Sequence, residues 1–66
     1  MNAPINRIIE WAERFIKQND SAMAIILMRD TPEAKSAGID NISPSWKRAE
    51  DIVTAKSMVA SLKNSI

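Results

Sequence analysis

Residues 5–26 read INRIIEWAERFIKQNDSAMAII, and the spacing of the side chains in this stretch decides the fold. Two rows of side chains repeat every seven residues: Ile5, Ala12, Asn19 and Ile26, and beside them Ile8, Phe15 and Ala22. A sustained repeat of about 3.5 residues is typical of a helix that lies along other helices. The pattern therefore predicts how the chain assembles and carries little information about chemistry.

The seven-residue phase continues through Asp20 and Ser21, where no Gly or Pro interrupts it. It predicts one helix over residues 4–30, with Asn2 as a favourable N-cap. The alternative is two helices with a kink around residues 19–21, because Asp and Ser are themselves good N-caps.

Shorter signals predict two further helices. Thr31, Pro32 and Glu33 have the order of N-cap, first helical residue and first-turn acid, and Gly38 suits a left-handed helix end. These residues predict a short helix over residues 32–37. The Ser-Pro pair at residues 43–44 predicts a last helix over residues 44–64. The fold class is all-α, an antiparallel hairpin of two long helices with a short connecting helix, in a single domain over residues 1–66.

The chain is small, and it has no Cys and no His among its 66 residues. A core of this size rarely supplies more than about 3–5 kcal/mol of stability, and disulfides, metals or oligomerisation usually supply more. Cys and His are the ligands of most zinc and other transition-metal sites. We therefore expect no cofactor and no metal site, and we expect oligomerisation to supplement the core.

The apolar surface also favours an oligomer. The first predicted helix is apolar on nearly all sides beyond Ser21, and a helix of that kind is covered on more than one face. The last predicted helix carries two apolar stripes: Trp46, Ala49, Val53 and Ala60 in one, and Ile52, Ala55, Val59, Leu62 and Ile66 in the other. We expect a homo-oligomeric helical bundle, a dimer or larger.

The predicted core comprises Ile5, Ile8, Ile9, Ala12, Phe15, Ile16, Met23, Ile26, Leu27, Ile52, Val59 and Leu62. The predicted oligomer and partner interface comprises Ile5, Ile8, Ala12, Phe15, Asn19, Ile25, Ile26, Met28, Val59 and Leu62. Two residues have alternative interpretations. Asn19 either sets the register by pairing with its symmetry mate, as a buried Asn does in coiled coils, or marks a local helix end. Trp11, at the margin of the seam, is either an interface anchor or the edge of the core.

The stretch from Ser43 to Arg48 has the composition of an anion site. A helix N-terminus presents free N–H groups to an anion, and an indole can stack on a ring. Such a site would hold a phosphate or nucleotide at a subunit interface through Ser43, Ser45, Trp46, Lys47 and Arg48. The plainer interpretation, a capped helix start with solvated charges, is the commoner one for a Ser-Pro sequence.

A helix-turn-helix is a weaker interpretation of the same region. Residues 32–37 would form its first helix, and the helix from residue 44 would read DNA through Ser45, Lys47 and Arg48. The intervening residues 38–43 exceed the usual turn of about 3–4 residues. The chain also carries nine basic and eight acidic residues, a net charge of +1, which is a poor balance for a nucleic-acid partner.

We expect no catalytic residues, because a chain without His, Cys or Tyr has few candidate general bases and nucleophiles. The longest apolar run, residues 22–28, is far shorter than the roughly 20 residues that cross a bilayer. The N-terminus also lacks the pattern of a signal peptide. The sequence thus predicts a cytoplasmic, non-enzymatic protein-interaction module, such as an inhibitor, adaptor or assembly factor, that acts as a homo-oligomer and has no membrane partner. The alternatives are binding of a small anionic ligand and DNA-binding regulation.

Overall fold

The computed structural model describes residues 4–64, and its secondary structure is entirely helical in that range. The elements in chain order are α1 (Ile5–Lys17), α2 (Ser21–Arg29), α3 (Pro32–Ser36) and α4 (Arg48–Asn64). The all-α class is therefore confirmed. The predicted cap at Asn2 and the stripe residue Ile66 lie outside the described residues.

The prediction of one helix over residues 4–30 is wrong, because α1 ends at Lys17. The Asp20 N–H donates to the Phe15 carbonyl at 2.8 Å, and the Asn19 N–H donates to the Ile16 carbonyl at 3.1 Å. With Asn19 at a φ of 61°, this is a Schellman helix end, in which Asn takes the left-handed position that Gly usually occupies. A local helix end, one of the two interpretations of Asn19, is what the structure shows.

The dimensions of the molecule agree with this break. A continuous helix over residues 4–30 would be about 40 Å long at about 1.5 Å per residue. The longest dimension of the structure is 30 Å. α2 instead folds back along α1, and α1, α2 and α4 each pack against the other two. Three packed helices thus replace the predicted hairpin of two long ones.

The short helix α3 forms by the predicted signals. Thr31 Oγ1 accepts a hydrogen bond from the Ala34 N–H at 3.1 Å, and Pro32 is the first helical residue. Gly38 has a φ of 75°, and the Ile39 N–H donates to the Ala34 carbonyl at 2.9 Å. A second Schellman end therefore closes α3 and turns Ile39 into the core.

The start of α4 differs from the prediction, since the helix begins at Arg48 and not at Pro44. Trp46 has a φ of 64°, which an α-helix does not allow. The side chain of Asp51 holds the preceding backbone in this conformation, through contacts described below. The Ser-Pro pair therefore lies in the extended connector before the helix.

The core lies where α1, α2 and α4 meet. Its largest fully buried side chains are Ile25, Met28, Met58 and Leu62. Among the predicted core residues, Ile8, Ile9, Ala12, Val59 and Leu62 are buried, and Ile5, Phe15, Ile16 and Leu27 pack against them partly buried. Ile26 and Ile52 are also only partly buried. Met23 is exposed, which contradicts the prediction. Because the helix ends before Asn19 and a new helix begins at Ser21, α2 turns a different face to the core than one continuous helix would have done.

No helix within residues 4–64 combines the length and the apolar character needed to cross a membrane.

Candidate functional site

Most of the residues predicted for an oligomer interface belong to the core of a single chain. Those buried are Ile8, Ala12, Ile25, Met28, Val59 and Leu62. Their burial corrects the predicted interface, because a partner cannot reach these side chains while the three helices stay packed. Ile5, Phe15 and Ile26 remain partly buried, and Asn19 is exposed at the helix end.

An apolar groove lies between α1 and α2. It has a volume of about 360 Å³, and its lining residues are Trp11, Arg14, Phe15, Gln18 and Leu27. We call this feature the α1–α2 groove. Trp11 is 39% exposed there, although its side chain is among the largest apolar ones in the chain. Trp11 was the residue for which the sequence left open an interface anchor or a core edge.

The backbone break at Asn19 creates the groove. Trp11 and Phe15 are one turn apart on α1, so they lie on the same side of the helix. Leu27 contributes the opposite wall, since α2 runs back beside α1 after the turn. Met23, one turn before Leu27, is also exposed and extends the apolar surface along α2.

Two opposite charges, those of Glu10 and Arg14, stand at one side of the groove. Arg14 lines the groove, and Glu10 precedes it by one turn and shares an adjoining shallow depression with it. Neither side chain makes a hydrogen bond or ion pair within residues 4–64. Glu13 differs, because its Oε2 lies 3.2 Å from Lys63 Nζ of α4. The groove is thus an apolar surface beside a carboxylate and a guanidinium that no side chain of residues 4–64 binds.

The predicted anion site is organised around a carboxylate of the chain itself. Asp51 Oδ1 accepts hydrogen bonds from the Ser45 N–H at 2.8 Å and the Ser45 hydroxyl at 2.9 Å. Its Oδ2 accepts one from the Trp46 N–H at 3.0 Å, and the Ser45 hydroxyl accepts one from the Lys47 N–H at 3.2 Å. The backbone N–H groups of residues 45–47 are therefore already bonded within the chain.

Of the other members of that predicted site, Trp46 and Arg48 line one small cavity, and Ser43 and Lys47 are not among its lining residues. The Ser43 hydroxyl accepts a hydrogen bond from Arg29 Nη1 at 3.2 Å, while Trp46 extends an indole that is 72% exposed. The sequence interpretation missed Asp51. An acidic residue in the first turn of a helix, after a Ser, was the available signal, because such residues often bond back to the preceding backbone.

A small cavity of about 170 Å³ lies between the α1–α2 turn and the start of α4. Ser21 is one of its lining residues, and its Oγ is buried without a hydrogen-bond partner among residues 4–64. Because that oxygen is itself inaccessible, a molecule in the cavity would not bond to it. Asp20, Asp51 and Arg48 also line the cavity, so two acidic residues and one basic residue surround it.

Within residues 4–64, no three acidic, His or Cys side chains come together in a way that could hold a metal ion. Comparisons of the chain with protein-family models, with curated proteins and with solved structures find no match.

Proposed function

We propose that this protein is a small, non-enzymatic protein-interaction module that acts as a homo-oligomer and uses the α1–α2 groove as its contact surface. The observation that carries the proposal is the exposure of Trp11 beside Phe15 and Leu27 in an apolar groove. Large aromatic side chains near the centre of an apolar patch supply much of the energy of protein interfaces.

A second copy is a suitable occupant in size and charge. A standard interface buries about 800 Å² on each partner, roughly a fifth of the 4407 Å² surface of this chain. The outer faces of α1 and α2 both contribute to the surface around the groove. The net charge of +1 adds little repulsion between two copies. Association would also supplement the small core of a single chain.

The test is the molar mass of the protein in solution, measured by sedimentation equilibrium over a wide concentration range. We expect the wild-type chain to self-associate and Trp11→Glu to remain a monomer, because the substitution places a charge in the apolar groove. Val53→Glu is the matched control, since Val53 is 68% exposed on α4 and does not line the groove. We expect this control to associate like the wild type. A wild-type chain that is monomeric throughout, or a Trp11→Glu variant with unchanged association, would contradict the proposal.

A further inference from the structure

We infer that the second copy docks antiparallel across α1, on a two-fold axis level with Ala12, so that Glu10 of each chain faces Arg14 of the other. The inference rests on the proposed self-association through the α1–α2 groove and adds its orientation and register. It names the specific residues by which one copy recognises the next.

The charges on α1 select one pair of residues for this role. The helix carries two opposite-charge pairs at a spacing of four residues, Glu10 with Arg14 and Glu13 with Lys17. Glu13 is already bonded to Lys63 of its own chain at 3.2 Å. Glu10 and Arg14 make no side-chain bond within residues 4–64, and Arg14 lines the groove. They are therefore the charged residues that adjoin the groove and remain available to a partner.

An antiparallel two-fold axis pairs these charges twice. Glu10 and Arg14 lie two residues before and two residues after Ala12, about 3 Å along the axis in either direction. A rotation about an axis at that level places Glu10 opposite the partner's Arg14 and Arg14 opposite the partner's Glu10. An isologous interface of this kind needs the same patch on both copies to be self-complementary, which such a pair provides.

The neighbouring side chains fit the same register. At about 100° per residue, Trp11, Arg14 and Gln18 fall within an arc of roughly 60° on α1, and Arg7 falls within it too. Trp11 is one residue from the axis level, so the two indoles meet near the centre of the interface. Arg7 and Gln18 lie five and six residues from the axis level on opposite sides. The guanidinium of Arg7 is thus placed to donate to the side-chain carbonyl of the partner's Gln18.

A parallel arrangement of the two α1 helices would bring like charges together. A two-fold axis parallel to α1 would place Arg14 beside the partner's Arg14 and Glu10 beside the partner's Glu10. Like charges placed together at an interface cost binding energy and suppress the wrong arrangement. Charge complementarity therefore favours the antiparallel orientation.

The test uses two charge-reversed chains, Arg14→Glu and Glu10→Arg, each studied alone and then mixed. Alone, each variant would place two like-charge pairs across the interface, and we expect its dimer to dissociate at concentrations at least about tenfold higher than the wild-type dimer does. Mixed, they restore both opposite-charge pairs, so native mass spectrometry should show the heterodimer in excess over either homodimer. Both positions are exposed, and circular dichroism checks that the variants keep the wild-type helix content.

A third chain keeps the test independent of either single variant. The double substitution Glu10→Arg with Arg14→Glu exchanges the two charges within one chain, and we expect its homodimer to recover. Variants that dimerise like the wild type, with no preference for the heterodimer, would overturn the register while leaving self-association intact. A wild-type chain that never dimerises would overturn both the register and the proposed function.

Discussion

Asp51 Oδ2 accepts a hydrogen bond from the backbone N–H of Trp46 at 3.0 Å, and this contact decides where the last helix begins. Together with the two bonds from Ser45, it holds Trp46 at a φ of 64° and keeps the preceding residues out of the helix. Asp51 is only 3% exposed, so its charge depends on these donors for solvation. A buried carboxylate in the first turn of α4 thus fixes the backbone that precedes the helix.

Replacing Asp51 should therefore destabilise the fold. We expect Asp51→Ala to lower the free energy of unfolding by about 2–3 kcal/mol, because it removes hydrogen bonds to a charged acceptor and leaves two backbone donors without one. Urea denaturation measures the change. Glu50→Ala is the control, since Glu50 is an exposed acid in the same helical turn, and its effect should stay within about 0.5 kcal/mol. Equal effects of the two substitutions would show that the Asp51 contacts do not hold the helix start.

Asn19 offers a test of the helix break. In the left-handed position an Ala is strained, so we expect Asn19→Ala to destabilise the protein by about 1 kcal/mol and Asn19→Gly to be neutral or stabilising. A continuous helix would give the opposite order, because Ala is the best helix former and Gly among the worst.

The same substitution elsewhere on α1 is the control for that experiment. Asn6 is exposed and lies in the right-handed helix α1. Because Ala has the higher helix propensity, Asn6→Ala should raise the free energy of unfolding by about 0.3–0.7 kcal/mol. Thermal denaturation followed by circular dichroism compares the two Asn-to-Ala changes directly. Stabilisation by both would indicate that α1 continues through residue 19.

The buried hydroxyl of Ser21 predicts a stabilising substitution. Its Oγ has no hydrogen-bond partner in the described part of the chain. Leaving such a buried group unsatisfied costs about 1–3 kcal/mol. We expect Ser21→Ala to raise the unfolding free energy by about 1 kcal/mol. Ser57→Ala, on the exposed face of α4, should change it by less than about 0.5 kcal/mol. A loss of stability in Ser21→Ala would show that the hydroxyl has a role in the fold that its surroundings do not reveal.

Trp11 also provides a spectroscopic readout of self-association. The chain has two tryptophans, and Trp46→Phe leaves Trp11 as the only one. We expect the emission of Trp11 to shift to shorter wavelength as the protein concentration rises, because docking of a second copy removes water from the indole. Emission that stays constant while the molar mass increases would place the contact surface away from the groove.

The sequence predicted well those features that depend on a few neighbouring residues. The order of Thr31 and Pro32 and the position of Gly38 determined α3, since each acts through the backbone of its own turn. The helical class and the partial burial of α1 on the side of Ile8 and Ile9 followed from local periodicity. The sequence anticipated the groove only in part, because it left open whether Trp11 is an interface anchor or lies at the edge of the core.

The helix break at Asn19 and the start of α4 at Arg48 could be determined only from the tertiary structure. Asn19 fits both a seven-residue seam and a left-handed helix end. An Asn within a helix costs at most about 0.7 kcal/mol relative to Ala, and a left-handed residue costs about 1–2 kcal/mol, less for Asn than for most residues. The choice falls to packing, because the break lets α2 bury Ile25 and Met28 against α1 and α4. From the sequence alone, the Asp51 carboxylate could bond to any of several neighbouring groups. Its burial beside residues 45–46 determines that it accepts from the backbone N–H groups of those two residues. The sequence by itself therefore determined that the chain is helical and where α3 begins and ends. Only the tertiary structure decided which faces are buried and which groove remains open, because those depend on the sum of contacts among three helices.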